Sequence, residues 1–274
     1  MSLLESILYG LISGFTEFLP VSSQAHQAIY MKLTGVDIRE PGRDLLVHIA
    51  VILALFTGCG TIFSRIRREQ KLNALKRHGR TYASRGLYDL RLVRTATVPL
   101  LIGLLLYIST RQLEFNLVYM ALLFALNGII LIVPEYMHQA NKDGRSMTGL
   151  DGIIIGLCGA LSALPGISRI GAMRAYALGR GVDKQYALTW ALLLSVPALL
   201  LYCGFDILTL FTSSIGTVSI PIIFGYILSA LSAYCGGYFS IILIQFLTVR
   251  NGFAGFAYYS WGTSLFTLIL YLIA

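Results

Sequence analysis

The sequence predicts an all-α integral membrane protein: six transmembrane helices plus two re-entrant helical hairpins in an inverted-topology repeat. Three observations predict it. Charged residues make up 12% of the 274-residue chain and hydrophobic ones 56%, at a mean hydropathy of +0.74, whereas soluble domains carry roughly 25% charged residues. Apolar runs long enough to cross a bilayer recur along the whole chain. Two further apolar runs, one in each half, are broken by polar and helix-interrupting residues. The chain therefore reads as a single membrane domain, 1–274, with repeat one at about 1–135, repeat two at about 149–274, and no soluble domain left over.

The first broken run extends from about Leu3 to Tyr30 and contains Ser13, Glu17, Pro20, Ser22, Ser23, Gln24 and His26. A plain spanning helix does not tolerate that density of polar groups at its centre. Two short arms meeting at a Pro-Ser-Ser turn do, provided the irregular backbone is buried in protein or lines a wet cavity. Leu45 to Phe63 is an ordinary span, as are Leu92 to Thr110 (with Pro99 near its middle) and Phe115 to Pro134. A polar stretch, Glu135 to Met147, follows. The second broken run, Gly149 to about Gly181, is interrupted by Pro165, Gly166, Ser168 and Arg169. Tyr186 to Phe205, Ile220 to Val249 and Phe253 to Ile273 complete the set. Shifting the chain by 145 positions brings Gly14 onto Gly159, Leu19 onto Leu164, Pro20 onto Pro165 and Ser23 onto Ser168. Each half holds one hairpin and three spans; three is odd, so the second half is inverted.

Ten of the 21 Lys and Arg residues lie between Arg65 and Arg94. Lying between two apolar segments, they read as a basic cytoplasmic loop, 64–94, rather than as a nucleic-acid surface. Anionic lipid headgroups are a secondary contact. With that loop inside, only Lys32, Arg39, Arg43 and Arg111 fall outside. Both termini and the first hairpin then face the outer side. The four cysteines, Cys59, Cys158, Cys203 and Cys235, show no metal-ligand spacing and read as packing residues. The N-terminus lacks the basic region of a signal peptide.

Ionisable groups within hydrocarbon are costly and mark function. In the first hairpin, Glu17, Ser22, Ser23 and His26 fall within ten residues; Ser22 and Ser23 can also cap the second arm. In the second, Gly166 lets a ligand approach the backbone closely. A helix starting after Ser168 aims N–H groups at an anion. Arg169 adds a planar donor fork suited to phosphate, and can also neutralise Glu17. Facing tips would collect a phosphate site able to hydrolyse its ligand. Ser23 or a water would attack, His26 would serve as acid/base and Arg169 would meet the developing charge. Glu17 would hold a divalent cation, Mg or Ca, with the phosphate oxygens. Asp44 and His48, spaced i and i+4, share a helix face near the outer mouth and offer support; a helix-entry residue and a packed histidine are the plainer readings.

These residues carry a likeness. The chain resembles the bacterial undecaprenyl-pyrophosphate phosphatase, or bacitracin-resistance, family. The matching segments are Gly14-Phe15-Thr16-Glu17-Phe18-Leu19-Pro20-Val21-Ser22-Ser23 with His26, and Pro165-Gly166-Ile167-Ser168-Arg169 with Gly171. Asp44-Leu45-Leu46-Val47-His48 and Ala96-Thr97-Val98-Pro99 are similar to two further family segments. The resemblance implies metal-dependent dephosphorylation of a C55 isoprenoid pyrophosphate at a site open to the outer face of the bacterial inner membrane. It also implies that Ser23 is the nucleophile, His26 the family's histidine, Glu17 the second of two glutamates, and Ser168 with Arg169 the phosphate-binding pair. A homodimer is compatible with it. The chain departs from the pattern at Ser13, where the family usually has the first glutamate, and at Ile170-Gly171-Ala172-Met173, where it usually has Ser-Gly-x-Thr. The alternative is a non-hydrolytic polyprenyl-phosphate transporter on the same fold, favoured by that trimmed site and by the transporter-like symmetry.

Overall fold

The computed structural model describes residues 2–35, 40–75, 85–110, 116–137, 142, 146–212, 220–250 and 252–273. Among these the chain is helical, with one isolated backbone bridge between Lys142 and Val182. The helices are α1 (Leu3–Glu17), α2 (Ser23–Thr34), α3 (Pro41–Gly58), α4 (Gly60–Leu75), α5 (Arg85–Thr110), α6 (Leu117–Ile132), α7 (Gly149–Ala160), α8 (Arg169–Gly179), α9 (Lys184–Thr212), α10 (Ile220–Val249) and α11 (Gly255–Ile273).

Six segments are long and apolar enough to cross a bilayer: Pro41–Gly58, Asp89–Thr110, Leu117–Tyr136, Lys184–Thr212, Ile220–Val249 and Gly252–Ile273. Their outward faces are apolar, with Leu101, Leu105 and Ile108 exposed on α5 and Leu265, Ile269 and Leu272 exposed on α11. Such surface is stable only against lipid. The core lies between the halves, where Phe18, Leu55, Phe124, Leu131, Ile170 and Phe253 are fully enclosed.

Two expectations need correction. The span expected over Leu45 to Phe63 stops at Gly58, and a second helix begins at Gly60. The glycines on either side of Cys59 are poor helix formers and permit the break. The basic segment 64–94 is not a loop throughout: Arg65, Arg67, Arg68 and Lys71 sit on α4, and Arg91 and Arg94 on α5. Lys76, Arg77 and Arg80 lie outside the described residues, as does much of the polar stretch after Tyr136.

Each broken run forms two short helices joined by a tight turn. α1 opens on a capping box in which the Ser2 hydroxyl accepts from the Glu5 N–H and Glu5 accepts from the Ser2 N–H. α7 opens on the same device, built from Thr148 and Asp151. Pro20 and Pro165, lacking amide protons, lie in the turns between the arms. The first arms then cross between halves. Gly10 and Gly14 of α1 lie so close to α10 that a Cβ at either would overlap the carbonyl of Ser229 or Ala233. Gly152 and Gly156 of α7 lie against α5, where a Cβ would overlap the Thr95 side chain or the Ala96 carbonyl. Small residues four apart permit this backbone approach, and dispersion holds it.

Candidate active site

The two turns meet. The Gly166 N–H donates to the Ser22 hydroxyl at 2.9 Å, and the Ser168 hydroxyl lies 3.5 Å from the Leu19 carbonyl. Asn127, wholly buried on α6, bridges both turns. Its amide donates to the Pro20 carbonyl at 3.1 Å and to the Ser260 hydroxyl at 2.9 Å, while its carbonyl accepts from the Ser168 N–H at 2.9 Å.

The backbone at this junction is unusual. Ser22 has φ 65°, making it the one non-glycine residue with positive φ among the described residues. That conformation costs a serine about 1–3 kcal/mol. The expected capping role is not what Ser22 performs: its side chain makes no bond to the helix it precedes and goes to Gly166 instead. Gly166 has φ 122°, and a Cβ there would stand 2.7 Å from Leu123 Cβ. Only glycine fits both the dihedral and the space.

A polar pocket of about 30 Å³ opens at the junction, lined by Thr16, Glu17, Leu19, Ser22, Ser23, Gln24, Ser162, Ile167, Ser168, Arg169 and Tyr202. Of the residues anticipated from the sequence, Glu17, Ser22, Ser23, Ser168 and Arg169 are thus brought together, with Gly166 in the adjoining turn. Arg169, itself buried, forms a partly buried ion pair with Glu17 through Nη2 and Oε1. The Arg169 Nε is buried with no acceptor, and the Gln24 Oε1 with no donor. α8 begins at Arg169, as expected, with the Ser168 hydroxyl accepting from the Gly171 N–H at 3.1 Å. The positive end of that helix therefore points at the pocket.

His26 is not brought to the pocket. Its Nδ1 donates to the Ser22 carbonyl at 2.8 Å, and a carbonyl can only accept. The proton is thereby placed on Nδ1, so Nε2 accepts the Tyr259 O–H at 2.7 Å. Both nitrogens are committed to the scaffold, and the ring stacks on Tyr259. Asp44 and His48 also lie off the pocket wall. Asp44 accepts from the Tyr9 hydroxyl at 2.9 Å, and His48 pairs through Nδ1 with Asp206 at 2.6 Å. The His48 ring stacks on Tyr202, which does line the pocket.

Sequence reasoning missed Asn127, Gln24, Ser162, Tyr202 and Asp206. Asn127 carried a usable signal, being a polar residue deep within an apolar span. Beside the pocket lie two apolar grooves of about 360 and 600 Å³, between α1, α10 and α11 and between α1 and α2. Thr16 is common to the pocket and both grooves, and Tyr259 to both grooves.

A family model described as bacitracin resistance protein BacA matches residues 6–266. An undecaprenyl-diphosphatase of Carboxydothermus hydrogenoformans is 28% identical over 98% of both chains. That of Desulforapulum autotrophicum is 28% identical over the full length of both. Undecaprenyl-diphosphatase 1 of Shouchella clausii is 31% identical over 73% of this chain and 72% of its own.

Proposed function

The chain belongs to the bacitracin resistance family, and from that premise we propose that it hydrolyses undecaprenyl pyrophosphate to undecaprenyl phosphate and inorganic phosphate, recycling the carrier lipid of cell-wall synthesis. The observation that carries the reading is the junction of the two turns. A buried guanidinium with an unused N–H, a helix N-terminus and a serine hydroxyl converge on one pocket that borders apolar grooves. Pyrophosphate suits the first three, and an isoprenoid tail suits the grooves.

Arg169 leaves Glu17 for the incoming phosphate, because a dianionic ligand outbids one carboxylate. The α8 N-terminus and Ser168 hold the remaining oxygens. Ser23, lining the pocket, attacks the terminal phosphorus or orients the attacking water, the nucleophile's proton passing to a phosphate oxygen, and the bridging P–O bond breaks with the lipid monophosphate as leaving group. A phosphoserine formed in the first case is hydrolysed by water. His26 supports this indirectly, by holding the Ser22 carbonyl and with it the strained turn. A divalent cation, Mg or Ca, fits the donor set: the Glu17 carboxylate and the unpartnered Gln24 Oε1 would hold it with substrate oxygens, where it would neutralise phosphate charge.

The same reading takes the two short-helix pairs as re-entrant hairpins of an inverted repeat. The matched capping boxes, and the glycine pairs of each half packed on the other half, support it. We place the protein in the bacterial inner membrane, with the termini and the first hairpin outside. The site does not need a second copy to be complete, so a homodimer has no catalytic part. The non-hydrolytic transporter is not favoured: the relatives named above are all called diphosphatases.

The test is phosphate release from C55 pyrophosphate by the purified protein in detergent, beside Ser23→Ala and Glu17→Ala, with and without EDTA. Turnover lost in both variants and on chelation is expected. Lipid binding with no phosphate released by the wild type would overturn the hydrolase.

A further inference from the structure

We propose that Gln27 is a positioning residue for this reaction, fixing the Ser23 hydroxyl through a neutral hydrogen-bond network built where a carboxylate is absent. The inference rests on the hydrolase reading above and extends it to a residue with no place in that mechanism so far. Gln27 lies one turn beyond Ser23 on α2. Its Nε2 donates to the Ser13 hydroxyl at 3.0 Å and to the Ser23 hydroxyl at 3.3 Å.

The direction of each bond follows from its neighbours. Ser13 Oγ spends its proton on the Tyr9 carbonyl at 2.7 Å, one turn back on α1. Ser23 Oγ spends its proton on the Ser13 carbonyl at 3.4 Å. Both hydroxyls therefore turn lone pairs to Gln27, and only the amide NH₂, with two donors, satisfies both at once. A carboxylate or an apolar side chain in its place could not.

The consequence falls on Ser23. One bond fixes its proton and a second occupies one lone pair, which leaves the other lone pair unused on a residue that lines the pocket. The hydroxyl is thereby held in one rotamer between the two arms of the hairpin. An N–H already aimed at its oxygen also offsets charge that builds there as the proton leaves. Ser13 sits one turn before Glu17 on α1, so the network ties the serine to the helix that carries the pocket's carboxylate.

The experiment measures kcat and KM for phosphate release by the full-length wild type, Gln27→Leu and Gln27→Glu in detergent, with melting temperatures alongside. Misplacing a reacting group by an ångström costs about 100-fold. We expect kcat to fall about 10- to 100-fold in both variants with KM within about twofold, since the lost contact matters to Ser23 and not to the phosphate clamp. Lowering the pH should recover kcat in part in Gln27→Glu, whose protonated carboxyl can donate to one of the two hydroxyls, and not in Gln27→Leu. Unchanged kcat in both variants overturns the role of Gln27. So does a fall shared with KM and melting temperature that shows no pH recovery, because that is a packing defect. A wild type that releases no phosphate fails differently: it overturns the hydrolase reading, and this inference with it.

Discussion

Arg169 donates to Glu17 through Nη2 and keeps its buried Nε without an acceptor. A guanidinium so placed can reach phosphate with two parallel N–H groups, which an ammonium cannot. Arg169→Lys should therefore keep the charge and lower kcat/KM about 100-fold, equivalent to about 2.7 kcal/mol. Steady-state phosphate release checks this, and a loss below threefold would remove the fork from the argument. The turn residues predict an ordering. Ser22→Ala leaves the buried Gly166 N–H unpaired, at a cost of about 1–3 kcal/mol, but relieves nothing in space. Gly166→Ala meets both an unfavourable φ and Leu123, so it should lower the melting temperature further than Ser22→Ala does. What the sequence revealed at this scale were residues that break a pattern: Glu17, Ser168 and Arg169 interrupt apolar runs. Their contacts were less legible. His26 stands in the same motif, one turn after Ser23, yet its ring nitrogens go to the Ser22 carbonyl and the Tyr259 hydroxyl, and spacing along one helix does not reveal partners on another. Asp44 and His48 share a face as their spacing requires, but each takes its partner from another helix, and spacing along one chain carries no information about that.

The helices themselves were the easiest elements to read, since length and hydropathy set spans almost without regard to packing. Boundaries shifted where capping and glycine decide, as at Cys59. Between helices, the glycine pairs make a matched prediction. Gly14→Leu and Gly156→Leu each drive a side chain into a backbone carbonyl of the facing helix, which cannot move aside as a side chain would. Overpacking of this kind costs about 1–3 kcal/mol or more. Both variants should lose several degrees of melting temperature in detergent, whereas Gly60→Leu, which faces open space, should not. The start of α7 adds a pH dependence. Burial would raise the Asp151 carboxyl. The N–H and hydroxyl of Thr148, the Arg180 guanidinium and the Tyr176 hydroxyl outweigh it and bring it down from 3.8 to about 2. A folded pKa below the unfolded one gives stability that is present above about pH 4 and lost as the pH falls through about 2. That contribution is about 2 kcal/mol. The stability advantage of wild type over Asp151→Asn should shrink across that window and stay flat above it, which melting curves in acid-stable detergent can follow.

Across the whole molecule, charge is distributed by face. Glu135 pairs with Arg174 and Lys184, Asp151 with Arg180, and Asp89 with Arg65, all at the ends of helices that our orientation places inside. The opposite ends hold far fewer cations, Arg43 and Lys32 among them. Cations near span ends resist translocation, so this asymmetry sets how the chain inserts. In the proposed inverted repeat, the odd number of spans in each half brings the second hairpin in from the opposite side to the first. The meeting of the two turns at the Ser22–Gly166 bond agrees with that proposed opposed entry. Topology and site are thus one prediction. In a background with the four native cysteines replaced, Ser2→Cys should react with a membrane-impermeant maleimide on intact right-side-out spheroplasts. Gln70→Cys, exposed on α4 amid the basic segment, should react only after permeabilisation. The reverse pattern would turn the molecule over and open the first hairpin, with Glu17 and Ser23, to the cytoplasm. Labelling of Gln70→Cys in intact spheroplasts together with Ser2→Cys would be worse for the scheme, because an even number of crossings would then separate the two positions and the first short-helix pair could no longer be re-entrant.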